Sequence, residues 1–187
     1  MAEKNLIKIY VDANSAKRVD IIIKNYTNFI GIVDGYVDGL RYMIECEKES
    51  NAHQQKGDLG VRIQGGGAIS DPTAKKAIRN VMTRDALINC DFSGDVLEGV
   101  DRAEEFIRNA YLLRNMRKDY ELFKHQLSIL GKEKEFFEKF LLREKTLEDI
   151  AEEQGITYES AQQKIQRIKL KVKKQVVSFM EGKGGIA

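Results

Sequence analysis

Apolar residues recur at intervals of three and four along most of this chain, and a single proline, Pro72, stands among its 187 residues. A period near 3.6 lays such residues along one face of an α-helix, and a chain almost free of proline has little to stop long helices. The pattern predicts an all-α fold. From Ser15 to Glu49 one helix is expected on Val19, Ile22, Tyr26, Phe29, Val33, Val37, Leu40 and Ile44. Inside it Gly31, Gly35 and Gly39 fall four apart. Each costs about 1 kcal/mol against alanine within a helix, so their alignment predicts close approach of another helix, in this chain or in a partner. A break in the helix near Gly31–Gly39 is the competing expectation.

Residues 51–70, with Gly57, Gly60 and Gly65-Gly66-Gly67, read as a flexible linker and lack the GxxxxGK[ST] pattern of a phosphate loop. A second helix is expected from Pro72, capped by Ser70 or Asp71, to Asn89. A third is expected from Asp95, with Glu98 completing its cap, along Val96, Val100, Ala103, Ile107, Ala110 and onward through Leu127 to a stop at Gly131. That seam suits packing within the chain and, over part of its length, a dimer. These signals divide the chain into an N-terminal helical segment (1–50), a Gly-rich linker (51–70), a central helical segment (71–130) and a C-terminal domain (131–181).

Charged residues make up 32% of the chain and the formal net charge is +2, a balance that hides a local asymmetry. Acidic residues outnumber basic ones from Glu133 to Glu153, whereas Lys164, Arg167, Lys169, Lys171, Lys173 and Lys174 follow with no acid among them. Such a block suits a polyanion partner; equally, cations near a helix C-terminus meet its macrodipole favourably. No stretch reaches the roughly 18 uncharged apolar residues of a membrane span, and the start lacks the apolar core of a secretory signal. Cys46 and Cys90 lie far apart and read as reduced, partly buried thiols, so a cytoplasmic protein is expected. Neither His53 nor His125 has a Cys or a second His within four residues, so no metal site is expected there. No paired acid and base, nucleophile motif or cofactor loop stands out, and the chain is expected to be no enzyme and to carry no cofactor or metal.

The C-terminal segment is the most informative. A short amphipathic helix is expected around Phe136, Phe137, Phe140 and Leu141. Thr146 then caps a second helix with Asp149 reaching back, and Thr157 starts a last one. Between them Ala151 allows close crossing, Gly155 supplies a positive φ, and Ile156 fills the corner over Ile150, Ala161 and Ile165. This is the plan of a helix-turn-helix. It leaves Tyr158, Glu159, Gln162, Gln163 and Gln166 on the open face to read base edges, and Thr157, Lys164, Arg167, Lys169 and Lys171 to meet phosphates.

Residues 127–175 resemble region 4 of bacterial sigma factors, through Ile150-Ala151-Glu152-Glu153, Gly155-Ile156-Thr157, Ser160-Ala161, Ile165 and Arg167. The family has an apolar residue where Gln154 stands, Val where Ala161 stands and Ala where Ile168 stands, departures that imply less buried area in the small core. A tryptophan-rich region 2 is missing; the chain has no Trp. With its N-terminal helix and the stretch Ile69-Ser70-Asp71-Pro72-Thr73-Ala74, the whole arrangement resembles phage-encoded late-gene transcriptional regulators of the ArpU/RinA type. The resemblance implies a bacterial phage or prophage activator whose partners are double-stranded DNA and RNA polymerase or a sigma factor, and leaves a homodimer open. Two other classes share these features: a small terminase-like packaging protein that assembles into a ring, and a sigma-like decoy that binds polymerase without DNA.

Overall fold

The computed structural model of the chain describes residues 6–55 and 72–184. These hold eight α-helices and no strand: α1 (Leu6–Val11), α2 (Ser15–Lys24), α3 (Phe29–Gln55), α4 (Pro72–Asn89), α5 (Ala103–Ser128), α6 (Glu133–Leu142), α7 (Leu147–Glu153) and α8 (Tyr158–Met180). The chain is all-α, as its periodicity predicts, and no described helix is long and apolar enough to cross a membrane. Two compact units form, residues 1–31 with 117–187, and residues 32–116. This division differs from the contiguous boundaries expected at 50, 70 and 130, because α2 packs on α8 at the other end of the chain.

In the first unit, the helix expected from Ser15 to Glu49 is interrupted at residues 25–28, outside the glycine run. Asn25 ends α2 by donating its side-chain amide to the Ile21 carbonyl at 2.8 Å, and the Asn28 N–H bonds back to the Asn25 carbonyl. Short polar side chains compete with the helical ladder in this way. The break turns Tyr26 into a cluster of rings: Tyr26 lies 5.7 Å from Tyr120 and 5.9 Å from Phe123, and Phe29 stacks on Tyr120 and meets Tyr10. Tyr10 donates a hydrogen bond to Asp119 at 2.8 Å, with the Arg18 guanidinium 5.3 Å from the Tyr10 ring centre. Burial pushes the Asp119 carboxyl above its usual range, although the Tyr10 hydroxyl and Arg18 pull it back.

The glycine run lies on α3, with Gly31 in the first unit and Gly35 and Gly39 in the second. The helix runs unbroken through Gly31, Gly35 and Gly39, all three are exposed, and a methyl group added at any of them would meet nothing within 4 Å. Among the described residues no helix makes the expected close approach; Val33, Val37, Leu40 and Ile44, on the opposite face, fill the core. The helix also continues through Asn51 to Gln55, five residues into the expected linker. The rest of that linker, and the caps expected at Ser70 and Asp71, lie outside the described residues, while Pro72 starts α4 and Asn89 ends it as expected.

The third expected helix starts eight residues late. Residues 94–99 form turns, with Gly94 at φ +76 and Gly99 at φ +73, so Asp95 and Glu98 cap nothing. The two amides that lead into α5 are met by a distant residue: Glu47 accepts from the N–H of Asp101 at 2.7 Å and of Arg102 at 2.9 Å, and pairs with the Arg102 guanidinium at 2.9 Å. A carboxylate at a helix N-terminus satisfies orphan donors and meets the positive end of the dipole. With the start moved, Phe106 becomes a fully buried residue beneath Arg102, a position absent from the expected seam. Cys46 is a free thiol and exposed, not partly buried, while Cys90 is half-buried as expected.

The bond from the Arg102 amide, with those from its side chain and from Asp101, holds the Glu47 carboxyl below its ordinary range against a smaller desolvation effect. A lowered native value means that Glu47 stabilises the fold fully above the ordinary glutamate pKa and loses that contribution as the pH falls through the lowered one. In denaturant titrations, Glu47→Gln is therefore expected to be less stable than the parent at neutral pH and to converge with it in acid. Faster amide exchange at Asp101 and Arg102 would accompany it; parallel curves at all pH values would contradict the cap.

Candidate nucleic-acid interface

Helices α6, α7 and α8 pack on one another, and local chemistry sets each boundary. Thr146 caps α7: its hydroxyl oxygen accepts from the Asp149 N–H at 3.2 Å, and the Asp149 carboxylate accepts from the Thr146 N–H at 3.0 Å and hydroxyl at 2.8 Å. These bonds, the hydroxyl's first, hold the Asp149 carboxyl below its usual range. At the far end of α7 the Gly155 N–H bonds to the Glu152 carbonyl and the Ile156 N–H to the Ala151 carbonyl. This paired closure ends a helix when the residue after the cap is left-handed, and Gly155 stands at φ +62. Thr157 then caps α8, accepting from the Ser160 N–H at 3.2 Å.

The buried residues of these helices are those expected, except that Phe140 is only half-buried. Phe136, Phe137 and Leu141 of α6, Ile150 and Ala151 of α7, and Ala161 and Ile165 of α8 are buried, and Ile156 is half-buried at the corner. The buried stripe of α8 continues through Ile168, Val172 and Val176. Ile168, where a smaller residue was the family expectation, is fully enclosed.

Tyr158, Glu159, Gln162, Gln163 and Gln166 are all exposed. The cations beside them divide. Arg167 and Lys171, one turn apart, both reach Glu133 at the start of α6, at 3.4 and 3.5 Å. Lys169 and Lys173, also one turn apart, both reach Asp20 of α2, at 3.5 and 2.6 Å. Two residues of helix correspond to about 200° of rotation, so the two pairs leave α8 on opposite flanks and each flank meets its own carboxylate. The Lys164 ammonium sits 4.2 Å from the centre of the Phe136 ring, a cation–π arrangement, and Thr157 is engaged as the cap. Lys174 is exposed.

The sequence reading assigns no role to Glu133 or Asp20, and places Lys173 in the basic block without a partner. Glu133 was visible only as one acid in an acidic stretch, and nothing local links Asp20 to a lysine 153 positions away. These pairs remain open to exchange: Arg167 and Lys171 keep 71% and 54% of their side-chain surface, and Glu133 keeps 29%. Ion pairs this exposed contribute little to stability. Beyond them, Glu153 of α7 is held below its usual range by Lys145 and then by Lys139. Among the described residues no three His, Cys, Asp or Glu side chains gather to hold a metal.

No family model, curated protein or solved structure matches the chain. The site therefore stands on its own geometry.

Gly155 offers a direct test of the turn. No atom lies within 4 Å of an added Cβ there, so substitution meets only the left-handed backbone, at about 1–2 kcal/mol. Gly155→Ala is expected to lose about that much in chemical denaturation, and Gly155→Asn distinctly less, since asparagine tolerates this region. Equal stability of Gly155→Ala and the parent would show that the turn relaxes to another conformation.

Proposed function

We propose that this protein binds double-stranded DNA through a helix-turn-helix made of α7 and α8, and that it regulates transcription as a phage or prophage activator contacting promoter DNA and RNA polymerase. The observation that carries the reading is the division of α8. Ala161, Ile165 and Ile168 are buried while Tyr158, Glu159, Gln162, Gln163 and Gln166 stand exposed along the start of the same helix. A buried face of this kind holds the helix rigidly, and amide side chains that both donate and accept suit base edges in a major groove. Arg167 and Lys171 then meet the backbone by exchanging Glu133 for phosphate.

The decoy reading has one observation in its favour: Glu133 and Asp20 already neutralise four cations of α8. A chain that binds polymerase or a sigma factor and no duplex would fit that arrangement. Selection of bound duplexes from a random pool separates the two, since a regulator enriches a defined sequence and a decoy enriches none.

With a selected site in hand, Gln162→Ala combined with Gln163→Ala is expected to reduce the ratio of specific to random-duplex affinity by roughly ten- to a hundredfold, the discrimination carried by one good amide–base pair. Equal losses on both duplexes, measured by fluorescence anisotropy, would remove these residues from base reading. Glu133→Gln is expected to do the reverse. By freeing Arg167 and Lys171 it should tighten binding to any duplex several-fold and steepen the dependence of log affinity on log salt by roughly one to two. Glu135→Gln, on the same helix but paired only with Lys139, serves as the control.

A further inference from the structure

Helix α4 has two faces of different fate. One is buried through Thr83, Ala86 and Leu87, and its charges are answered within the unit: Lys76 pairs with Glu49 at 2.9 Å and Arg84 with Asp38 at 3.2 Å. The other face is apolar and open. Ile78, Val81 and Met82 retain 59%, 60% and 52% of their surface, and Ala74 and Ala77 beside them are exposed. Single exposed apolar residues are ordinary, but a contiguous patch on two turns of helix marks an interaction surface.

The register of that face says what covers it. Ala74, Ile78, Val81 and Asp85 are spaced four, three and four, the stripe by which two helices interlock. The stripe is symmetric about the bond between Arg79 and Asn80. A second α4 laid antiparallel about that point sets Ile78 against Val81 of the second copy, and Val81 against its Ile78. It also sets the small Ala74 opposite Asp85, with Lys75 one residue away from that carboxylate and opposite Arg84, whose guanidinium is drawn to Asp38 at 3.2 Å. Lys75 and Asp85 are exposed, and neither has an ion pair among the described residues. The parallel alternative would stack Lys75 on Lys75 and Asp85 on Asp85, so charge selects the antiparallel pair.

We propose that the outer face of α4 docks on the same face of a second copy of this chain, giving a twofold dimer in which Ile78 of each copy meets Val81 of the other. The inference does not rest on the DNA reading, since it concerns α4 alone and is tested without DNA.

The test is the mass of the full-length protein in solution, by sedimentation or light scattering across a concentration series. A dimer that dissociates on dilution is expected. Val81→Glu should be monomeric with unchanged helical content, because Val81 is open in the monomer. Asp85→Lys should weaken the dimer roughly tenfold or more by setting lysines against Lys75. Adding Lys75→Glu to that variant should restore it, which only the antiparallel register predicts. A parent that stays monomeric at every concentration, a ring-sized assembly, a Val81→Glu variant that dimerises as the parent does, or a double variant that fails to recover would each overturn the proposal.

Discussion

The ion pairs of Asp20 with Lys169 and Lys173 join the second helix of the chain to the last, and much of the first unit depends on the packing they accompany. α8 is a 23-residue helix whose buried stripe, Ala161, Ile165, Ile168, Val172 and Val176, has an apolar residue every three or four positions. A helix this long is not held by its own backbone in water; burial of one face provides most of its stability. Part of that burial comes from α6 and α7, and part from α2, which brings Val19 and Ile22 to full burial. Closing a loop across the whole chain costs conformational entropy, but that cost rises only slowly with loop length.

The same packing decides what the basic block can do. Six cations between Lys164 and Lys174 suggest one positive strip, but two carboxylates from other helices divide it into flanks. Glu133 holds Arg167 and Lys171 on one side, Asp20 holds Lys169 and Lys173 on the other, and Lys164 lies over Phe136. The pairs of Arg167 and Lys171 with Glu133, open to solvent on the cation side, stabilise the fold only slightly. Their larger effect falls on any anionic partner, which must compete with a carboxylate at close range before it gains the cation.

Much of the candidate site was legible because its determinants are local. A threonine three residues before an aspartate caps a helix, and a glycine before an isoleucine closes one. An alanine, an isoleucine and another isoleucine at the right spacing form a small core. Each of these signals needs only a few neighbouring residues, and Thr146, Gly155, Ala161 and Ile165 all behave accordingly. The misjudged elements are those whose outcome was settled at a distance. Asp95 looked like a helix cap, yet Glu47 performs that task for α5 from 54 residues away. Gly31, Gly35 and Gly39 meet no neighbour among the described residues, which leaves of the expected packing only the arm that a partner would supply.

Sequence alone was sufficient for helical class, for the ends of α4, and for the α7–α8 turn, since period, proline position and capping act within one or two turns of backbone. Tertiary structure decided the break at Asn25, the late start of α5, the partition of the α8 cations and the exposure of the α4 stripe. Those depend on which surfaces meet across long separations, and helical periodicity specifies that a face must be buried without specifying what buries it.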